Sequence, residues 1–146
     1  MTGYAVEALG NVLVKLDKFE RGTQLLLRAL NINREHLGDR SASTARLHKR
    51  VSFGLMKMGR NNDAHWHLQQ ALAIAQSLYG ELSEEVADAL HHQGQLAASQ
   101  GQFETAERLF SEALAKYQRI APTNVETLEL LKWRLECSQK RKVVSV

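Results

Sequence analysis

The chain is expected to be all-α: an α-solenoid of three helix-turn-helix repeats with a C-terminal capping helix. Three observations predict this. First, the sequence returns in phase every 42 residues. Leu16-Asp17-Lys18-Phe19, Met58-Gly59-Arg60-Asn61 and Gln100-Gly101-Gln102-Phe103 sit at that step, as do Ala29-Leu30, Ala71-Leu72 and Ala113-Leu114. A fixed period of about 20–50 residues marks stacked supersecondary units. Second, proline occurs once, at Pro122, among many good helix formers. Third, apolar residues recur at helical spacing in each half-repeat.

The repeats are expected at about 2–43, 44–85 and 86–122, within one domain over 1–142. In the second helix of each repeat the apolar positions follow i, i+4, i+7, i+8. They are Gly22, Leu26, Ala29 and Leu30, then Ala64, Leu68, Ala71 and Leu72, then Ala106, Phe110, Ala113 and Leu114. That spacing makes one stripe, and its small members let a neighbouring helix approach to about 8–10 Å. The first helices carry Leu9, Val12, Leu13 and Leu16, then Leu47, Val51, Leu55 and Met58, then Ala89, Leu90, Leu96 and Ala97. Gly59 and Gly101 fall where a first helix ends, a place suited to the left-handed conformation, and Asp17 holds that place in the first repeat.

Longer joints are expected at Leu37–Ser43 and Tyr79–Glu85. Ser83 reads as an N-cap followed by Glu84 and Glu85 against the helix dipole. Thr123 and Glu126 fit a capping box that starts a last helix over about 124–141. Leu128, Leu131, Trp133 and Leu135 are its apolar positions, while Lys132, Arg134, Glu136 and Lys140 are expected in solvent. With no matching second helix, it reads as a cap over the third repeat, followed by a tail at 143–146.

Composition excludes several classes. The 146 residues are 44% hydrophobic and 24% charged, as in a globular chain. The lone Cys137 excludes an internal disulfide and points to a reducing compartment, the cytoplasm or another. A net charge of +3 is too mild to argue for nucleic acid. No apolar run approaches the roughly 20 residues that cross a membrane, and the N-terminus lacks a secretory signal. Lys15 is the only basic residue among the first sixteen, which argues against a mitochondrial presequence, although import of a longer precursor is left open. Repeat-phase sequence starts directly after Met1. Self-association, or a neighbouring repeat, is therefore expected to cover the N-terminal helix.

No constellation supports catalysis, a cofactor or a metal. His65 and His67 are two apart on a helix and face apart, and the adjacent His91 and His92 are expected to diverge. There is no HExxH, CxxC, phosphate loop or GxSxG. Cys137 reads as a structural thiol, and Trp66 as packing between repeats. The basic run Lys140-Arg141-Lys142 suits a helix C-terminus.

With Leu9-Gly10, Asp17, Gly22 and Ala29, then Gly59, Ala64 and Ala71, then Gly94, Gly101, Ala106 and Ala113, the chain resembles the tetratricopeptide repeat family. The 42-residue variety, with Leu37-Gly38 and Tyr79-Gly80 in the longer joints, is similar to kinesin light chain repeats. Ser52 stands where unit two of the pattern has glycine, and the paired asparagines common in kinesin light chains are absent. The resemblance implies a right-handed α-solenoid whose first helices line a concave groove. It places Tyr4, Glu7, Asn11 and Lys15, then Arg46, Lys49, Phe53, Met56 and Lys57, then Asp88, His91, Gln95 and Ser99 on that face. Trp133 and Cys137 are the matching cap positions. Lys15, Arg46, Lys49 and Lys57 would make a basic patch beside Tyr4, Phe53 and Met56. The resulting expectation is a scaffold or adaptor that binds a protein or peptide bearing acidic residues. The alternative is a structural subunit of a larger assembly, one containing RNA included, acting through its convex face, its ends and its basic tail.

Overall fold

The structure, a computed structural model, describes residues 2–144, with side chains through Arg141. Met1, Ser145 and Val146 lie outside the described residues, and with them part of the expected tail. Among the described residues there are seven α-helices and no strand. They are α1 (Gly3–Lys15), α2 (Phe19–Leu37), α3 (Ala42–Lys57), α4 (Asn61–Tyr79), α5 (Glu84–Ser99), α6 (Phe103–Ile120) and α7 (Val125–Val144). The chain divides into two compact units, Met1–Leu78 and Tyr79–Val146. None of these helices is long and apolar enough to cross a membrane.

One turn chemistry ends each first helix. Asp17, Gly59 and Gly101 all have positive φ, at 60°, 76° and 77°. After α1 the Asp17 N–H donates to the Val14 carbonyl at 3.0 Å, and the Lys18 N–H to the Leu13 carbonyl at 2.9 Å. The same pair of bonds recurs from Gly59 and Arg60, and from Gly101 and Gln102. This double bond satisfies carbonyls that a helix end otherwise leaves open. Asp17 shows that an aspartate tolerates the left-handed region where its side chain is free in solvent.

In the N-terminal unit α1 packs on α2 and α2 on α3. Ser41 caps α3 by accepting from the Thr44 N–H at 3.0 Å. The Thr44 hydroxyl in turn donates to the Gly38 carbonyl at 3.0 Å. Leu26, Ala29, Leu30, Leu47, Val51 and Leu55 form the buried centre. The α2–α3 approach is close enough that a Cβ on Gly54 would fall on the Thr23 hydroxyl. The first-helix stripe holds for α3 but not for α1, where Leu9, Val12 and Leu16 are 44%, 51% and 61% exposed. Their in-phase partners Val51 and Gly54 are buried because α2 lies against that flank of α3. α1 has α2 on its other side instead, and buries Val6, Glu7 and Gly10.

In the C-terminal unit α5 packs on α6 and α6 on α7. Ser83 caps α5, accepting from the Val86 N–H at 3.2 Å, with Glu84 and Glu85 in the first turn. A Cβ on Gly94 would come within 2.6 Å of the Phe110 ring, so this glycine is what lets α5 and α6 close around a large aromatic. The cap of α7 differs from expectation. Asn124, not Thr123, accepts from the N–H three residues on, at 3.3 Å from Thr127. Thr123 is drawn into the preceding turn, where its carbonyl accepts from the Val125 N–H at 2.9 Å. The helix therefore starts one residue later than expected, and it runs to Val144 rather than stopping near Arg141. Its inward face is Leu131 and Ser138, with Arg134 and Leu135 half-buried between them.

Candidate binding surface

The N-terminal unit carries nine of the predicted groove residues, and an ion cluster organises them. Glu7 on α1 is 7% exposed. Burying a carboxylate costs several kcal/mol unless it is paired and hydrogen-bonded. Arg46 on α3 meets that need with two bonds, Nε to Oε1 and Nη2 to Oε2, both 3.1 Å. Arg50 adds a second cation at 3.8 Å. Arg46 thus clamps α1 to α3, and its charge is directed at Glu7 rather than held ready for a ligand.

Further along α3, Phe53 is 38% exposed and meets Phe19 edge-on at 6.5 Å, while the Lys57 ammonium stands 5.4 Å above its ring. A cation over an aromatic face is attracted by the ring quadrupole. Lys49 and Met56 are half-buried beside them. On α1, Tyr4 is 81% exposed, Asn11 half-buried and Lys15 exposed. The unit therefore holds an exposed aromatic anchor with a lysine over it, next to an acid already neutralised.

On the other side of α3 lies a histidine pair. His48 Nδ1 and His67 Nδ1 are 2.9 Å apart, and Trp66 sits edge-on to both rings at 5.8 and 4.9 Å. One nitrogen must donate and the other accept, so the contact needs a neutral acceptor ring. Burial lowers the His48 pKa to about 4, with His67 and Arg34 adding to the effect and Asp39 opposing it. Burial also lowers that of His67. Trp66 is 49% exposed and packs on these rings.

The C-terminal unit carries the other six predicted groove residues, Asp88, His91, Gln95, Ser99, Trp133 and Cys137. His91 is only 8% exposed and lies edge-on to Phe110 at 6.0 Å, with its Nε2 unbonded. Gln95 turns toward α7. With its amide oriented to satisfy both groups, its oxygen accepts from Arg134 Nη1 at 3.3 Å and Nη2 at 2.8 Å. Trp133 is 59% exposed. Contrary to the expected divergence, Asp88, His91 and His92 each bring one ligand-type atom within 4.8 Å of the others. The Arg134 guanidinium acts on this cluster, since together with burial and His92 it holds the His91 pKa down at about 4. A positive field of that kind opposes a cation as well as a proton.

Sequence reasoning missed Arg134. It was expected in solvent, yet its Nε is buried without a partner and desolvation lowers its pKa. The available signal was Leu131, Leu135 and Ser138 on one helical face, which brackets position 134.

A family model described as tetratricopeptide repeat matches residues 43–119, more than half of the chain, and another so described matches residues 4–43. The chain belongs to the tetratricopeptide repeat family. Repeats of this family are generally protein-interaction scaffolds that bind proteins or peptides and are not catalytic. No curated protein matches the chain significantly. Among solved structures, BtubC (BKLC) from P. vanneervenii is similar with a TM-score of 0.89 and 20% identity, over 96% of this chain and 56% of that one. A Podosopora anserina kinesin-light-chain-like protein of nearly identical TPR-like repeats gives 0.84 and 14%, over 95% and 66%. A point variant of it gives 0.83. The tetratricopeptide chain thus spans 56% and 66% of the two proteins. At these identities the likeness is one of fold, an all-α solenoid of kinesin-light-chain type.

Proposed function

We propose that this chain is a protein–protein interaction scaffold that holds a peptide or partner protein on the face formed by its first helices. The observation that carries this reading is the exposed Phe53 with Lys57 above it and Lys49 beside it. An apolar anchor next to cations suits a segment that pairs an aromatic or aliphatic residue with acids. The partner is an acidic protein segment, and binding needs no cofactor. Neutralisation of Arg46 by Glu7 narrows the basic patch to the lysines around Phe53.

The test is the double variant Lys49→Glu/Lys57→Glu. Affinity for a partner should fall at least about tenfold, the scale for losing a charge-assisted contact, with helicity by circular dichroism unchanged. Equal affinity of the variant and the parent chain for the same partner rejects this surface.

A further inference from the structure

We infer that α1 pairs with the α1 of a second copy of this chain, antiparallel, through the side it turns away from α2. This surface is separate from the Phe53 face, and the pairing does not depend on that face binding a partner. Ala5, Leu9, Val12 and Leu16 run down this side of α1 at i, i+4, i+7 and i+11, with Ala8 beside them, and no charged residue falls in the stripe. Such spacing is that of a seam between two helices. Leu9, Val12 and Leu16 are 44%, 51% and 61% exposed, and Ala5 and Ala8 are exposed as well. One period on, the matching Leu47, Val51 and Gly54 of α3 are buried, and Thr23 of α2 fills the space over Gly54. The stripe on α1 therefore has the form of a site that a helix covers elsewhere in the same fold.

Three observations make the covering helix a second α1. First, the last helix offers no apolar match on its own free flank. Gly3, Gly10 and Val14 lie on the α2 side of α1. Three periods on, the matching positions of α7 are Glu129, Glu136 and Lys140, all exposed. A polar flank of this kind closes a repeat stack, and laying it on the α1 stripe would desolvate charges against apolar side chains. A head-to-tail contact is thereby disfavoured, whereas an isologous one, in which each copy presents the same patch, suits the stripe. Second, the stripe complements itself when reversed. Ala5 of one copy then faces Leu16 of the other, and Leu9 faces Val12, so small side chains meet large ones. The helix dipoles oppose, and the two Lys15 side chains, the cations next to the stripe, lie at opposite ends. Parallel pairing would set those lysines side by side. Third, the area is sufficient. Tyr4, 81% exposed, stands at the edge of the stripe. With ordinary residue areas of about 110–220 Å², it and the stripe offer roughly 500 Å² per copy, or about 1,000 Å² for the pair, which is the lower bound for a specific contact and the size of a reversible dimer.

Sedimentation velocity of the full chain, from about 5 to 500 μM, tests the pairing. The weight-average mass of the parent should climb from one chain toward two and no further, with a dissociation constant on the order of 100 μM, as a small closed interface implies. Leu9→Lys and Val12→Glu each place a charge at an exposed position in the middle of the stripe. Either one alone should weaken the dimer at least about tenfold, with helicity by circular dichroism unchanged. An equimolar mixture of the two variants should recover the dimer, because the antiparallel register brings Lys at position 9 against Glu at position 12 and leaves the native Leu9–Val12 contact on the other side of the twofold axis. A parent that stays monomeric at the highest concentration overturns the proposal. So do species larger than two chains, a dimer indifferent to Leu9→Lys, or a mixture no better than its separate variants. Lys49→Glu/Lys57→Glu should dimerise like the parent. If that variant loses the dimer while Leu9→Lys keeps it, self-association belongs to the Phe53 face and the α1 pairing is rejected. Loss of partner binding with the dimer intact bears on the Phe53 face alone.

Discussion

Glu7 in the N-terminal unit and Arg134 in the C-terminal unit are both charges drawn into a packed helix interface, and they are treated in opposite ways. Glu7 meets Arg46 through two 3.1 Å bonds and has Arg50 at 3.8 Å, so its charge is answered inside the fold. Arg134 meets an amide oxygen and keeps a buried Nε without an acceptor. The first arrangement fastens two helices together. The second leaves a half-buried cation with one donor unmet inside the C-terminal unit. One repeat geometry can therefore yield a fully answered charge or a partly answered one, depending on whether the chain supplies both members of the pair.

The largest effect should follow from opening the closed site. Arg46→Ala/Arg50→Ala takes both of these cations from the Glu7 carboxylate, which is 7% exposed in the parent chain. Removing the counterions of a buried charge costs about 3–5 kcal/mol, to be read as a lowered urea midpoint. If the double variant unfolds like the parent, the cluster is decorative and the contrast between the two units fails.

Acid should act next, and on the N-terminal unit through His48. Burial lowers its pKa to about 4 in the folded chain from the ordinary histidine value of 6.5. Between those values the unfolded chain binds the proton and the folded chain does not. The contribution is therefore whole above pH 6.5 and is lost as pH falls toward 4, with His67 acting in the same direction. The groups facing His48 are His67, Arg34 and Asp39, and Asp63 faces His67. A series of denaturation curves from pH 7.5 to 4 should show this decline, and His48→Leu should flatten it. A slope unchanged in that variant assigns the acid sensitivity elsewhere.

The smallest effect on stability is expected at Arg134. Arg134→Met removes a desolvated, incompletely bonded cation and keeps an unbranched side chain. Its unfolding free energy should stay within about 1 kcal/mol of the parent, or rise, because an apolar replacement of an unmet buried charge is often neutral or stabilising. A loss as large as that of Arg46→Ala/Arg50→Ala would make Arg134 a structural tie like Glu7.

The repeat period and the helical stripes were legible because they are local. The step of 42 residues located every hairpin, and Asp17, Gly59 and Gly101 marked the ends of α1, α3 and α5 through their positive φ. Ser83 was legible as a cap for the same reason, since cap and acceptor lie three residues apart. Thr123 misled because two polar residues, Thr123 and Asn124, compete at the start of α7. The Pro122 turn decides between them. The stripe of α1 misled because Leu9, Val12 and Leu16 are apolar in phase with α3 whether or not a helix covers them.

Sequence alone determined that the chain is a stack of paired helices and which side chains lie on each first helix. Those properties follow from a 3.6-residue pitch and a fixed period, which any window of the chain displays. Tertiary structure decided that Arg46 answers Glu7 across 39 positions of sequence, that His91 is turned inward, and that Arg134 is left with an unmet donor. Charge satisfaction depends on which groups meet when helices distant in sequence pack, and no local pattern records that.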